Sequence, residues 1–243
     1  KRYDDSDSAV WNSFVAQSKQ GTFLFDRRYM DYHRNRFADY SLLFYLKGKL
    51  YAILPANIVG DTLWSHQGLT YGGLRHVVYK SMPWIYQQLP AEEDLYAIFN
   101  RCHARLMVRN VSSTIEQDRA LKWRRDRHYG ANKAHTEGIV VNQDDNAYAE
   151  FWKVLDDNLM NTYHAMPVHT LDEIERLHST FPDHIKLYVA RLNGEVVGGS
   201  LLFLTPQVVH AQYISATPKG KHLHAIDAIF RKVLTEDYRD CRY

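Results

Sequence analysis

The feature that most constrains this 243-residue chain is a repeat inside itself. Leu42-Leu-Phe-Tyr-Leu-Lys-Gly48-Lys-Leu50, reaching Ser65-His-Gln67, is matched by Leu187-Tyr-Val-Ala-Arg-Leu-Asn-Gly194-Glu-Val196, reaching Ala211-Gln-Tyr213. In each copy an apolar run meets a Lys-Gly or Asn-Gly pair, which is a hairpin signal, and a third run begins one loop later. Gly48 to Ser65 and Gly194 to Ala211 both span seventeen residues, and a common offset of 146 aligns Gly48 with Gly194, Leu50 with Val196 and His66 with Gln212. Two readings stand: a duplicated α/β module, or two hairpins that resemble one another because hairpin turns are loosely specified. Duplication would make the cleft between modules a natural substrate site.

Composition narrows the class. At 45% hydrophobic residues the chain can bury one large core or two small ones. It has no eighteen-residue apolar run and no signal-peptide core after Lys1-Arg-Tyr-Asp-Asp, so the reading is a cytoplasmic protein without a membrane span. Cys102 and Cys241 form neither metal-ligand nor redox spacing and are read as free thiols. A net charge of +2 demands no polyanion. Seventeen tyrosines suit a carbohydrate or peptide surface as well as a core edge.

Periodicity predicts helices over 8–18, 92–102 and from Tyr148 through Tyr163, the last closed by Pro167. Thr170-Leu-Asp-Glu173 is a capping box opening the next helix. Ala120 to Tyr129 is a basic helical stretch, and Leu223 to Tyr238 a final helix. Strands are predicted at 42–46, 50–58, 62–65, 77–79, 105–115, 186–192, 196–204 and 208–215.

The order helix, helix, three antiparallel strands, loop, helix resembles the Gcn5-related N-acyltransferase (GNAT) fold. Its doubling is similar to the Fem-type, methicillin-resistance-like branch. The segments Gly21-Thr-Phe-Leu, Leu54-Pro-Ala-Asn57, Ser65-His-Gln-Gly-Leu-Thr-Tyr-Gly-Gly73, Pro167-Val-His-Thr170, Phe181-Pro-Asp-His-Ile-Lys-Leu and His210-Ala-Gln-Tyr-Ile carry a likeness to a bacterial group found near cell-envelope genes. The resemblance implies an α/β (α+β) fold of tandem GNAT-like modules, with mixed, mostly antiparallel sheets flanked by helices. The modules are expected at 1–135 and 136–243. Two departures stand out. Only three residues join Gly73 to Val77, where a crossover needs a dozen, so residues are expected to be missing near Leu74-Arg75. The second module is expected to be cut short after Tyr243.

The implied activity is transfer of an acyl group from an acyl-CoA co-substrate, or of an aminoacyl group, to an amine of an envelope precursor, either polysaccharide or peptidoglycan, in the cytoplasm or at the inner face of the membrane. No metal is expected. Such an enzyme must align donor and nucleophile, stabilise an oxyanion and remove a proton. His66 and Gln212 are the catalytic candidates. Gln67, Tyr71, His169, His210 and Tyr213 are the substrate-binding ones, with His66, His169 and His210 as proton handlers. Each competes with a satisfied core or core-edge residue. The segment before the last helix, Ser215-Ala-Thr-Pro-Lys-Gly-Lys-His222, stands where the acyl-CoA loop belongs but lacks its glycine pair; Lys219, Gly220 and Lys221 are its cofactor candidates. One alternative is an aminoacyl-tRNA-dependent ligase whose Lys122, Arg124, Arg125 and Arg127 meet RNA phosphates. The other is a silent saccharide- or peptide-binding module.

Overall fold

The structure of the protein is a computed structural model that describes residues 1–60, 62–64, 81–89 and 93–243. It divides into two compact units, Lys1–Ser113 and Thr114–Tyr243. The division expected after residue 135 therefore falls inside the second unit, at the end of a helix.

The first unit runs α1 (Ser8–Gln17), α2 (Arg27–Met30), β1 (Ala38–Asp39), β2 (Leu42–Leu46), β3 (Lys49–Leu54), β4 (Asn57–Val59), β5 (Thr62–Trp64) and α3 (Glu93–Arg101). Its anchor is Arg27, which is 1% exposed. The guanidinium bonds Asp31 at 2.5 Å, Asp39, and Ser41 Oγ at 3.2 Å, and lies 3.7 Å from the centre of the Tyr3 ring. Burial alone would raise the Asp39 carboxyl, but the Ser41 N–H and the Arg27 charge outweigh it and hold it below its ordinary value.

The second unit runs α4 (Arg125–Thr136), β6 (Val140–Gln143), α5 (Tyr148–Tyr163), α6 (Leu171–Thr180), β7 (Ile185–Leu192), β8 (Glu195–Leu204), β9 (Val209–Ala216), α7 (Pro218–His222) and α8 (Ala225–Lys232), which continues as a π-helical turn over Val233–Asp237. Its sheet is antiparallel in the order β6-β7-β8-β9. Tyr188, Ala190, Val197 and Leu202 pack with Ala134, Ala225 and Ile229 on the face covered by α4 and α8. The other face carries α5, where Gly199 makes room for the Phe151 ring: a Cβ there would stand 2.4 Å from it.

The repeat is present in the backbone. Lys47-Gly48 and Asn193-Gly194 all have positive φ, the signature of a type I′ turn. Each pairing of β2 with β3, from Leu46↔Lys49 to Leu42↔Leu54, recurs 146 residues later between β7 and β8, including the bulge after Phe44 and its counterpart after Ala190. Asn57↔Trp64 and Ile58↔Leu63 recur as Phe203↔His210 and Leu204↔Val209. Asp39↔Asn57 recurs as Ile185↔Phe203. Two sheets in the first unit thus correspond to one in the second, β1 and β2 to β7, and β3 and β4 to β8.

This corrects the single strand expected over 50–58. Pro55 has no N–H to donate to a ladder, and the Ser41 hydroxyl takes the Ala56 N–H at 3.1 Å instead. The strand expected over 105–115 is also absent: residues 103–116 form neither helix nor strand, because alternation without a ladder partner satisfies no backbone group. The basic helix starts later than expected, at Arg125. The helix from Tyr148 stops before Pro167, at His164 in the left-handed region (φ 51). The final helix expected from Leu223 starts at Ala225, after His224 in the left-handed region (φ 58), and the segment before it, read as a loop, contains α7. The Gly73–Val77 connection and the strand at 77–79 lie outside the described residues. Cys102 and Cys241 are free.

Candidate functional site

The site builds on β9. Leu201 pairs with Tyr213 and Leu202 with Ala211, so Gln212 is the extra residue of a bulge. A bulged residue has no partner across the ladder and turns the local backbone away from its neighbour. His210 and Tyr213 stand on the same strand, two residues before Gln212 and one after it. Burial pushes the His210 imidazole below its ordinary value, which keeps it neutral at pH 7, while the nearby Gln212 side chain acts the other way.

Tyr213 reaches a fourth residue. Its hydroxyl lies 2.6 Å from His169 Nδ1 and accepts the His169 backbone N–H at 3.3 Å. Burial pushes the phenol above its ordinary value, partly offset by N–H donors from His169 and Val168, so it is protonated and donates to Nδ1. That bond assigns the proton of the imidazole to Nε2.

The pair is held from both sides. Thr170 and Glu173 form the capping box that starts α6, with the Thr170 N–H donating to Glu173 at 2.9 Å and the Glu173 N–H to Thr170 Oγ1 at 3.3 Å. From α5, the Trp152 Nε1–H donates to the His169 carbonyl at 3.2 Å, and its ring stands edge-on to Tyr213 with centroids 5.4 Å apart. Sequence reasoning counted Trp152 only as part of an apolar stripe. Its indole N–H was the available signal, since a buried one needs an acceptor.

Thus Tyr213 and His169 come together, with Gln212 and His210 on the same strand as Tyr213. His66, Gln67 and Tyr71 lie outside the described residues. Lys219, Gly220 and Lys221 stand apart on α7. Thr217 caps that helix, accepting the Gly220 N–H at 3.0 Å and donating to the Val197 carbonyl at 3.2 Å. A Cβ on Gly220 would lie 1.9 Å from the Val197 oxygen, so close packing on β8 accounts for this glycine. Lys221 bonds Asn158, about 9 Å along α5 from Trp152 at 1.5 Å per residue. On α4, Arg127 is engaged by the buried Asp227 at 3.1 Å, while Arg124 and Arg125 are exposed. Among the described residues, no group of three His, Cys, Asp or Glu side chains could hold a metal ion, and no helix is long and apolar enough to cross a membrane.

Residues 118–240, just over half of the chain, match a family described as acetyltransferase (GNAT) domain. No curated protein matches the sequence. Among solved structures, the crystal structure of FemX is similar, with a TM-score of 0.57 at 9% identity over 99% of this chain and 86% of that one. Similarity at that identity is similarity of fold.

Proposed function

Because the chain belongs to the acetyltransferase (GNAT) domain family, we propose that it moves an acyl group from a CoA-type donor to an amine of a cell-envelope precursor, with the chemistry on β9 of its second unit. Its fold is that of tandem GNAT-like modules of the Fem type, with mostly antiparallel sheets flanked by helices. The observation that carries the proposal is the bulge at Gln212 on the strand that also carries His210 and Tyr213.

Acyl transfer needs a donor aimed at the oxygen that becomes negative. The bulge turns backbone and the Gln212 amide out of the ladder, where they can meet a carbonyl. The acceptor, an ammonium ion in water, must lose a proton before it attacks, and the neutral His210 imidazole is placed to take it. The amine nitrogen then bonds the acyl carbon while the bond from that carbon to the leaving sulfur breaks. Tyr213, fixed by His169, and Trp152 shape the wall of the site. The envelope acceptor and a cytoplasmic location, at or near the inner face of the membrane, rest on the Fem-type likeness.

Lys219 and Lys221 are the side chains of α7 that could neutralise donor phosphates. The Gly220 N–H is already taken by Thr217, which favours a second reading: an aminoacyl-tRNA donor met by Lys122, Arg124 and Arg125. Calorimetry with acetyl-CoA, beside a transfer assay with acetyl-CoA or aminoacyl-tRNA and a panel of amines, tests both. Saturable acetyl-CoA binding with amine-dependent thiol release supports the first. Transfer only from aminoacyl-tRNA supports the second, and binding of a saccharide or peptide without any transfer supports a silent module.

A further inference from the structure

The first unit repeats the strands of the second with different chemistry on one rung. Asp39, Asn57 and Trp64 are direct cross-strand partners through β1, β4 and β5. Direct partners on an antiparallel ladder project to the same face. At the offset of 146 their counterparts are Ile185, Phe203 and His210 on β7, β8 and β9. Ile185 and Phe203 are buried and apolar. The first unit thus places a carboxylate and an amide where the second has two apolar groups, and an indole where the second has its candidate base. An indole nitrogen donates but accepts no proton, so the step assigned to His210 has no counterpart on this rung.

Asp39 is committed to the fold by Arg27 and by the Ser41 N–H at 2.6 Å. Trp64 is not. Its ring is half-buried, while its Nε1–H is buried and, among the described residues, has no acceptor. Trp11 in the same unit and Trp152 in the second show the usual outcome, each donating to a main-chain carbonyl, of Phe25 at 2.9 Å and of His169 at 3.2 Å. Buried donors are nearly always paired, because a donor that has lost water and gained nothing weakens the fold. An oxygen supplied by a ligand would pair this one. The ionic network joined to the rung runs through Asp39, Arg27, Asp31, Arg34 and Asp5, with Arg2 on the Asp39 carbonyl. Three arginines meet three aspartates there, which leaves no net charge to hold a carboxylate or a phosphate. The acceptor that fits is a neutral carbonyl, and the amide carbonyl is the ordinary partner of an N–H in a protein interior.

We propose that the first unit is a binding module for a neutral ligand bearing an amide carbonyl, whose oxygen accepts the Trp64 Nε1–H on the rung formed with Asn57 and Asp39. A peptide and an N-acetylated sugar both carry that group. This site stands on the first unit alone and does not depend on the reading of β9.

Uniform nitrogen-15 labelling of the full chain gives a direct test, because its five tryptophans contribute five indole signals and Trp64→Phe deletes one and so identifies it. Trp11, whose N–H is already bonded, is the internal control. The probes are N-acetylalanine methylamide, N-acetylglucosamine, glucose and acetate. The proposal predicts a saturable downfield shift of the Trp64 indole proton with at least one of the two amides, with Trp11 unmoved and with no such shift from glucose or acetate. The amide that moves it names peptide or sugar as the source. Followed through the backbone amides of the first unit, Trp64→Phe should bind that amide about fivefold more weakly, the worth of one net hydrogen bond. The proposal is overturned by a Trp64 signal that neither amide moves, by one that glucose or acetate moves as far, or by a Trp64→Phe variant that binds the amide as tightly as the parent. The titration needs neither donor nor amine. A saturable Trp64 response without any acyl transfer therefore contradicts the proposed function alone, whereas acyl transfer with an unmoved Trp64 contradicts this proposal alone.

Discussion

Replacing Gly220 by alanine asks what that glycine is for. The new Cβ would stand 1.9 Å from the Val197 oxygen and 2.9 Å from its carbonyl carbon, both main-chain atoms of β8, so no rotamer change relieves the clash. Strand β8 is buried along nearly its whole length, so α7 must move. Movement strains two bonds to the Val197 oxygen, from the Thr217 N–H at 2.9 Å and from its hydroxyl at 3.2 Å. Overpacking costs about 1–3 kcal/mol and a weakened hydrogen bond about 1 kcal/mol, while the better helix propensity of alanine returns at most about 1 kcal/mol. The expected net loss is about 2 kcal/mol, or roughly 5–10 °C in the melting of the second unit. Urea unfolding and calorimetric melting of Gly220→Ala against the parent would measure it. A variant within about 0.5 kcal/mol of the parent, which is the scatter of ordinary surface changes, would refute the packing account and return Gly220 to a ligand-binding role.

Tyr213→Phe removes the hydroxyl that ties His169; transfer should fall more than tenfold in kcat with about 1–2 kcal/mol of stability lost, and an unchanged kcat would remove Tyr213 from the site. Because burial lowers the His210 pKa, the base form persists at pH 7 and transfer should hold below the ordinary histidine value of about 6.5, failing as pH drops further; His210→Gln should abolish that acid limb in a pH–rate profile. The Asp39 carboxyl titrates lower folded than unfolded, so its contribution is full above about pH 4 and is lost as pH falls through the folded value; Asp39→Asn should flatten the acid limb of first-unit stability measured by urea unfolding. Gly48→Ala and Gly194→Ala meet no atom within 4 Å, so each should cost only the left-handed strain of about 1–2 kcal/mol, and by similar amounts because the two turns share one geometry.

The repeat was legible because a type I′ turn needs positive φ at two adjacent residues, which leaves Lys-Gly and Asn-Gly as visible marks, and because alternating burial fixes register once the turn is set. The capping box at Thr170 was legible for the same local reason. Position 212 was found through the offset, but its bulge was not, since a bulge is defined by pairing across strands. His169 and Tyr213 were singled out separately; their bond depends on α6 starting beside β9, a tertiary fact. Trp152 was hidden by its place on an apolar stripe. Gly220 was read as part of a phosphate loop because sequence shows a missing side chain but not the Val197 carbonyl that requires its absence. The break at Pro55 was written in the sequence, since proline interrupts a ladder, and the strand over 50–58 overran it.

The central claim is that the β9 bulge carries acyl transfer to an amine. Its most direct test is amine-dependent thiol release from acetyl-CoA by the parent and by Tyr213→Phe, measured at equal folded concentration. The account predicts release by the parent that saturates with amine and falls more than tenfold in the variant; equal rates in the two proteins, or no release by a folded parent with any amine, would contradict it.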